Sequence, residues 1–412
     1  PTELSDDEWA EYLFMRKNIK GIQFERWNHA HGCRKWFNMV RDTSNDKIKL
    51  IYKYNNSIIQ FYIKIFKNNT ISKMDIYIIM SEAKKQEPRK LPYVAAITEG
   101  VRQVLQEQDN AFVAGEDVGE AGSVFGYYQG LLKEFGPERI YDTPISEKGI
   151  IGLGVGASAT GCRPILDLMF MDFLGECMDE VANQMAKMRF MFGGGATLPV
   201  TVLTMSGAGM NLAAQHSQSL EAWLAHLPGV KVVMPSNAYD AKGLIIAAAR
   251  DDNPVFVVLN KLSLAMACEV PEEPYEVPIG KAEVIREGKD LSIIAVGRMV
   301  NEAMAAVKPL AELGVDAEVI DVRSIQPFDT ETVVNSMKKT HRAVVVHEAV
   351  RFGGFGGEIV AQLQELAFDY LDAPIARVGA PFSPVPFSPA LEKVYVPNAQ
   401  SIVAEVKKTL GL

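Results

Sequence analysis

The sequence predicts an α/β protein made of two consecutive domains, each a parallel sheet covered by helices, behind an extraneous N-terminal segment. Three observations carry that prediction. From Leu91 onward, short runs of Val, Ile and Leu alternate with stretches of helical period, the strand, helix, strand order that parallel sheets require. The alternation is interrupted once, by the acidic and proline-rich stretch CEVPEEPYEVP at 268–278, which has no apolar periodicity and marks a linker. Composition also breaks near Met80: residues 1–79 hold 13 Lys and Arg against 9 Asp and Glu, net +4, while the remainder stands at −13. The 412 residues are 48% hydrophobic and 23% charged, an ordinary globular composition, and their net charge of −9 argues against a nucleic-acid partner. No apolar run reaches ~18 residues and no basic-then-apolar leader is present, so neither a membrane nor secretion is expected. The four cysteines, Cys33, Cys162, Cys177 and Cys268, form no C-x-x-C pair, which points to reduced thiols in the cytoplasm.

In chain order, residues 1–43 are aromatic and polar, with the core HAHGCR-x-WFN. Residues 44–90 read as a low-complexity linker: 45–79 are mostly Ile, Lys, Asn, Tyr and Phe, with no turn chemistry and no steady period of two. The expectation is that 1–79 are a remnant of a neighbouring reading frame, joined to a second protein that starts at Met80. The first domain, 91–267, opens with the helix TEGVRQVLQEQ, the buried strand of AFVAGEDVG, a glycine-rich loop from Gly122 to Gly130 and the helix LLKEFG. Pro144 cannot donate to a ladder, so Asp142-Thr143-Pro144 ends an extended segment, and Ser146 is the natural N-cap of the next helix. Residues 163–188 predict a short strand, then a long helix carrying Met169, Phe173 and Met178. LPVTVLTMSG is a strand that opens into the loop GAGMNLAAQHSQ with His216, and KVVMPSN, AYDAKGLIIAAARD and NPVFVVLN continue the alternation. The second domain, 279–412, repeats it from LSIIAVG to APIARVGA and ends on the amphipathic helix SIVAEVKKTLGL.

The stretch YDTPISEKGIIGLGVGASAT concentrates the chemistry, because it delivers one carboxylate, Glu147, onto the start of a glycine-rich helix. Four glycines in one helix cost about 1 kcal/mol each. A flat cofactor, a second backbone or a buried helix crossing would each account for them. No P-loop, H-E-x-x-H or nucleophile elbow is present. GGFGGE at 353–358 lacks phosphate-loop spacing and reads as a tight strand-to-helix connection. His347 and Glu348 are neighbours on a strand, so they point to opposite faces and read as structural or interfacial.

GEDVG, YDTPISEKG, MFMDFLGECMDEVANQMAK, AAQHSQSLEAW, HLPGVKVVMPSN and HEAVRFGGFGGEI together resemble the beta subunit of the thiamine diphosphate-dependent first component of 2-oxo acid dehydrogenase complexes, over about 90–412. The resemblance implies the two Rossmann-like domains of the transketolase group, a pyrimidine-binding domain followed by a transketolase C-terminal domain. Thiamine diphosphate becomes a nucleophile when a carboxylate at a ring nitrogen drives its aminopyrimidine into the imino form, and the TPISE match makes Glu147 that carboxylate. It places Ile145, Met169 and Phe173 around the pyrimidine, and gives His216 a part in substrate binding and in reductive acylation of a lipoyl group, a step that suits a side chain titrating near neutrality. A helix N-terminal hydrogen-bonder is the plainer reading of His216. Val200, Ala248, Ala249, Asp251 and Asn253 match positions that hold a structural potassium ion in some members.

No G-D-G occurs in the chain, the motif with which self-sufficient thiamine enzymes hold Mg²⁺ and the diphosphate. The resemblance therefore implies an α₂β₂ heterotetramer in which an alpha subunit brings Mg²⁺ and the beta chain alone is inactive, with a dihydrolipoyl acyltransferase core as the further partner. The pyruvate enzyme is expected; the acetoin and branched-chain enzymes are the alternatives, and a split transketolase-like synthase or a non-catalytic assembly subunit of the same fold the more distant ones. Residues 1–43 resemble the delta subunit of sarcosine oxidase, whose zinc pattern nominates His29 and Cys33. The earlier cysteine pair of that pattern is missing, and two ligands do not close a tetrahedral site.

Overall fold

A computed structural model describes residues 22–28, 36–42, 47–52 and 89–412, which fall into two units divided after Glu87. The first is an antiparallel meander of β1 (Ile22–Asn28), β2 (Trp36–Asp42) and β3 (Lys47–Tyr52), with a register shift between Val40 and Arg41. The sequence reading of 44–90 as linker is corrected at Lys47–Tyr52. KIKLIY is rich in β-favouring residues, and pairing with β2 supplies the ladder that local turn signals did not announce. His29 and Cys33 lie outside the described residues.

The second unit begins with β4 (Lys90–Pro92) and the helix Tyr93–Glu107, and its first sheet collects β5 (Ala111–Gly115), β6 (Ile140–Asp142), β7 (Arg163–Phe170), β8 (Thr201–Ser206), β9 (Lys231–Val233) and β10 (Val255–Asn260). Their order is β9-β10-β8-β7-β5-β6, every pair parallel. Every residue of TVLTMS and VFVVLN is buried, the continuous burial of strands covered on both faces. On one face the helices Tyr93–Glu107 and Ala238–Arg250 pack together, near enough that a Cβ on Gly100 would lie 3.3 Å from the Lys242 carbonyl oxygen. The helix Glu147–Ala159 packs on β7.

β11 (Ala267–Glu269) then pairs antiparallel with β4, and the buried Lys242 ammonium donates to the carbonyls of Pro271, Glu272 and Glu273, so the linker is stitched to the first domain. The second sheet contains β12 (Glu283–Arg286), β13 (Leu291–Ala295) and β14 (Ala317–Asp321). β15 (Ser324–Gln326) leaves it and pairs antiparallel with β9, as a seventh strand of the first sheet. β16 (Ala343–Val350) and β17 (Ala376–Ala380) complete the second sheet in the order β12-β14-β13-β16-β17. One apolar cluster runs through both domains, joining Val232 and Met234 to Ile320, Val322 and Ile325.

Two local expectations fail. The long helix predicted within 163–188 does not form. β7 continues through Met169 to Phe170, followed by a 3₁₀ turn at Met171–Gly175, a π-helical stretch at Glu180–Met185 and one α-turn at Met188–Met191. The cause is Asp167, whose buried carboxylate accepts the Met169 amide at 2.8 Å while Met169 takes φ +23° and the pairing with β8 shifts register. Ser146 does precede the helix at Glu147, but its hydroxyl donates to the Pro144 carbonyl at 2.9 Å instead of capping.

Candidate functional site at the carboxyl edge of the first sheet

Because the strands from β9 to β6 run parallel, their carboxyl ends share one edge, where ligands of such sheets bind. Strand order lines up the nominated residues along it. His216 is on the loop after β8; Met169 ends β7 and Phe173 follows it; Glu147 follows β6. Five of the seven described non-glycine residues with positive φ sit here: Asp117, Ser123, Met169, Asn211 and Ala213. Such backbone strain gathers at binding sites.

Glu147 opens its helix, where a carboxylate is favoured by the helix dipole. No hydrogen bond or ion pair engages it among the described residues, whereas the neighbouring Lys148 pairs with Glu180 at 3.6 Å. Ile145 is 83% exposed, an isoleucine held in solvent beside that carboxylate. Of the helix glycines only Gly154 is forced by packing within the chain, since a Cβ there would collide with Leu166 Cδ1. Gly149 and Gly156 are exposed, and a Cβ on Gly156 would meet nothing within 4 Å, so the crowding expected from four glycines exists at one.

Sequence reasoning missed Glu116, at the tip of β5, whose Oε1 accepts the Ser146 amide at 3.2 Å. Burial raises the Glu116 carboxyl, and the charges of Glu147 and Asp117 push the same way against the Ser146 amide. Its signal was present as the acid ending a buried strand in AFVAGED. Asp167 was missed as well. Both its oxygens accept the Tyr127 hydroxyl, at 2.9 and 3.0 Å, and burial lifts it to about 7 despite those bonds. A lone acid inside RPILDLMF was the available clue. Cys177 is no nucleophile here, as burial pushes its thiol up to about 12.

The His216 ring stands edge-on to Phe170, with centroids 4.8 Å apart, and to Phe173 at 5.5 Å. Thus Phe173 and His216 are brought together, and no hydrogen bond joins either to Glu147. The helix after the loop starts only at Glu221, too far along to make His216 its N-terminal hydrogen-bonder. Instead the backbone of the loop is tied down. The Lys261 ammonium donates to the His216 carbonyl, Asp172 Oδ1 accepts the Ser217 and Gln218 amides at 3.1 Å each, and Gly207 N–H closes the loop onto the Gln218 carbonyl at 3.3 Å. Burial pulls the Lys261 ammonium down to about 8, while Asp172, Glu348 and Glu392 support its charge. Glu348 indeed faces this loop, whereas His347, on the opposite face of β16, is packed under Gly354, Gly356 and Gly379.

Val200, Ala248, Ala249, Asp251 and Asn253 gather at the opposite, amino edge of the sheet. Two side chains of the chain already supply positive charge there. Arg163 donates to the carbonyls of Ala249 at 3.0 Å and Asp251 at 3.2 Å, and Lys231 pairs with the Asp251 carboxylate. Burial alone would raise Asp251, but hydrogen bonds from Lys231 and Asn253 hold it low. The Ala249 and Asp251 carbonyls and the Asp251 carboxylate thus each have a cationic partner within the chain.

Among the described residues no helix is long and apolar enough to cross a membrane, and no group of three or more His, Cys, Asp or Glu could hold a metal ion. The family model of the transketolase pyrimidine binding domain matches residues 89–266, that of the transketolase C-terminal domain 280–402, and that of the sarcosine oxidase delta subunit family 1–54, eleven residues beyond the resemblance read from sequence. The chain is 46% identical over 328 residues to the acetoin:2,6-dichlorophenolindophenol oxidoreductase subunit beta of Bacillus subtilis (strain 168), covering 77% of this chain and 96% of the relative. It is 44% identical over 322 residues to the pyruvate dehydrogenase E1 component subunit beta of the same organism, covering 78% and 99%. Among solved structures it is similar to a split gene transketolase described as an inactive beta4 tetramer, with a TM-score of 0.63, 27% identity, and 77% of this chain and 97% of that one covered.

Proposed function

Taking as premise that the chain belongs to the family of thiamine diphosphate-dependent 2-oxo acid and acetoin dehydrogenase beta subunits, we propose that it is one half of such an enzyme and supplies the pyrimidine side of each active site. In this reading 91–267 is the pyrimidine-binding domain and 279–412 the C-terminal domain. The observation that carries it is the Glu147 carboxylate, without a partner among the described residues at a helix start beside the exposed Ile145. Thiamine diphosphate supplies the carbanion-stabilising chemistry when bound. Glu147 holds and returns the proton at a pyrimidine ring nitrogen. Ile145, Met169 and Phe173 give the ring an apolar wall, and the open face of the glycine helix leaves room for it. Glu116, fixed on the Ser146 amide, is a second carboxylate near Glu147 and keeps that turn in place.

His216, against two aromatic edges, binds substrate and moves a proton during acyl transfer to a lipoyl group. The diphosphate and Mg²⁺ belong to an alpha chain, since this chain has neither a G-D-G motif nor an acidic cluster for the metal among the described residues. The assembly is then α₂β₂ docked on a dihydrolipoyl acyltransferase core, in the cytoplasm. No step is assigned to potassium. Pyruvate is the substrate of the first reading; acetoin is the second, favoured by the 46% identical acetoin relative.

The test compares the chain alone, the chain with its alpha subunit, and Glu147→Gln in that complex. Cofactor binding with Mg²⁺ and dye-coupled turnover of pyruvate, branched-chain 2-oxo acids and acetoin are measured. Turnover only in the complex, lost in the Gln variant, is the expected outcome, and the best substrate names the enzyme. Full turnover by the chain alone would refute the half-site reading.

A further inference from the structure

The loop Gly207–Gln218 is held from the second domain as well as from the first. Two carboxylates, one half-buried and one buried, reach across to its backbone. Glu348, on β16, accepts the Ala208 amide at 2.8 Å and the Asn260 side-chain amide at 3.0 Å. Glu392, on the helix Pro389–Tyr395 and 2% exposed, accepts the Gly209 amide at 2.7 Å through Oε1 and the Asn211 amide at 2.9 Å through Oε2. The Gly209 and Asn211 amides converge on one carboxylate in a stretch that passes through left-handed φ values, +107° at Gly209 and +57° at Asn211, the kind of turn that makes a concave nest of N–H donors. Such nests bind anions, and here the anion is a side chain of the other domain.

We propose that Glu392 is a positioning residue for His216: it seats the first half of the loop on the second domain, so that the imidazole meets Phe170 and Phe173 at the angle acyl transfer requires. This rests on the acyl-transfer role given to His216 above. The alternative of a merely structural contact is unattractive on desolvation grounds. A carboxylate buried as Glu392 is gives up its hydration and recovers it through two charge-assisted bonds to amides that a non-accepting residue would leave unpaired. The loop also has somewhere to go, since a cavity of about 90 Å³ lies behind it between Ala208, Ser217 and Glu348. Without the clamp at Gly209 and Asn211, the remaining ties are at Glu348, Asp172, Lys261 and the Gly207–Gln218 closure, none of them between Gly209 and Gln215, and the backbone before His216 is free to sag into that space.

The variant is Glu392→Gln, studied in the assembled complex with its alpha subunit. Glutamine is isosteric, but only one of its two terminal atoms accepts a hydrogen bond, so one of the two amides loses its partner and meets an N–H instead. Acylation of a free lipoyl domain is expected to fall on the order of 10- to 100-fold, the loss that accompanies misplacement of about 1 Å, while thiamine diphosphate affinity stays near wild type and the complex remains folded with a lowered thermal midpoint. In a His216→Ala background the same substitution is expected to change nothing further. A wild-type acylation rate in Glu392→Gln, or an undiminished effect in the His216→Ala background, overturns the proposal. Hydrogen exchange at the Gly209 and Asn211 amides is read in parallel: slow in the wild type and faster in Glu392→Gln or Glu392→Asp supports the clamp, and unchanged exchange overturns it. If His216→Ala alone acylates at the wild-type rate, it is the role of His216 that fails, and the exchange measurement decides whether Glu392 holds the loop.

Discussion

Glu147 and His216 stand on the same edge of the same sheet and are held by opposite means. Glu147 rides on the first turn of a regular helix whose entry Glu116 holds through the Ser146 amide, and among the described residues its own carboxylate has no hydrogen-bond or ion-pair partner. His216 rides on an irregular loop, part of whose backbone is tied down by each of Glu348, Glu392, Asp172 and Lys261. A side chain on a regular element needs one positioning decision, and one on a loop needs several from distant parts of the chain. The helix leaves its acid available. The loop takes four charges, two of them buried at Lys261 and Glu392, and gains an imidazole whose surroundings can be tuned from another domain.

The sharpest way to break this contrast is at Glu147. Glu147→Gln keeps size and helix position but cannot take the proton, and dye-coupled turnover in the complex is expected to fall about 10²–10⁴-fold, with the circular dichroism spectrum unchanged. Wild-type turnover would remove Glu147 from the chemistry. Next is His216→Ala, which is expected to slow lipoyl acylation on the order of 10²-fold and to spare dye-coupled turnover at saturating substrate. An equal loss in both assays would mean that His216 acts before the acyl group is transferred.

The glycines sharpen the helix side of the comparison. Gly154→Ala, which drives a Cβ into the buried Leu166, is expected to lower unfolding free energy by about 1–3 kcal/mol. Gly156→Ala meets nothing and removes a helix glycine, so it is expected to stabilise the isolated chain by about 0.5–1 kcal/mol. If the open face is kept clear for a ligand or partner, the same substitution weakens alpha-subunit or cofactor binding in titrations; unchanged binding would assign that face to solvent.

The smallest effect is one of pH. Burial lifts Asp167, Glu221 and Asp321 to about 7, so the folded chain keeps protons there that the unfolded chain has lost above pH ~4. Their stabilising contribution is complete below the unfolded value and is lost as pH rises through 7. His347, pulled down by burial to about 4, runs the other way but only below pH ~6.5, and Lys261 takes part only from about 8 upward. Urea midpoints are therefore expected to fall between pH 6.5 and 8, by on the order of 1 kcal/mol per acid. Asp167→Asn is expected to reduce that slope, and a slope unchanged by the substitution would mean that Asp167 does not titrate there.

What was legible in the sequence follows the same division. The strand alternation, the start of the helix at Glu147 and the position of His216 on a loop all rest on residues near one another in sequence, and Pro144, Ser146 and the glycines announce themselves. The run-on of β7 through Met169 was not legible, because one buried acid overrides a stretch whose composition favours helix. Glu392 lies 176 positions after His216, in a segment with no motif. Only folding the second domain against the first brings it to the loop. The cationic partners of Asp251 were not legible for a similar reason, since Arg163 and Lys231 arrive from two different strands.

β15 has a consequence for the chain as a folding unit. It belongs in sequence to the second domain and in space to the first sheet, where it covers the edge of β9, and the apolar cluster through Val232 and Ile325 continues across the same seam. Cutting at the linker would leave β9 as a bare edge, a template for aggregation, and would tear that cluster in two. Residues 89–412 are therefore expected to melt in a single calorimetric transition, and neither half, expressed without the other, is expected to remain monomeric in solution.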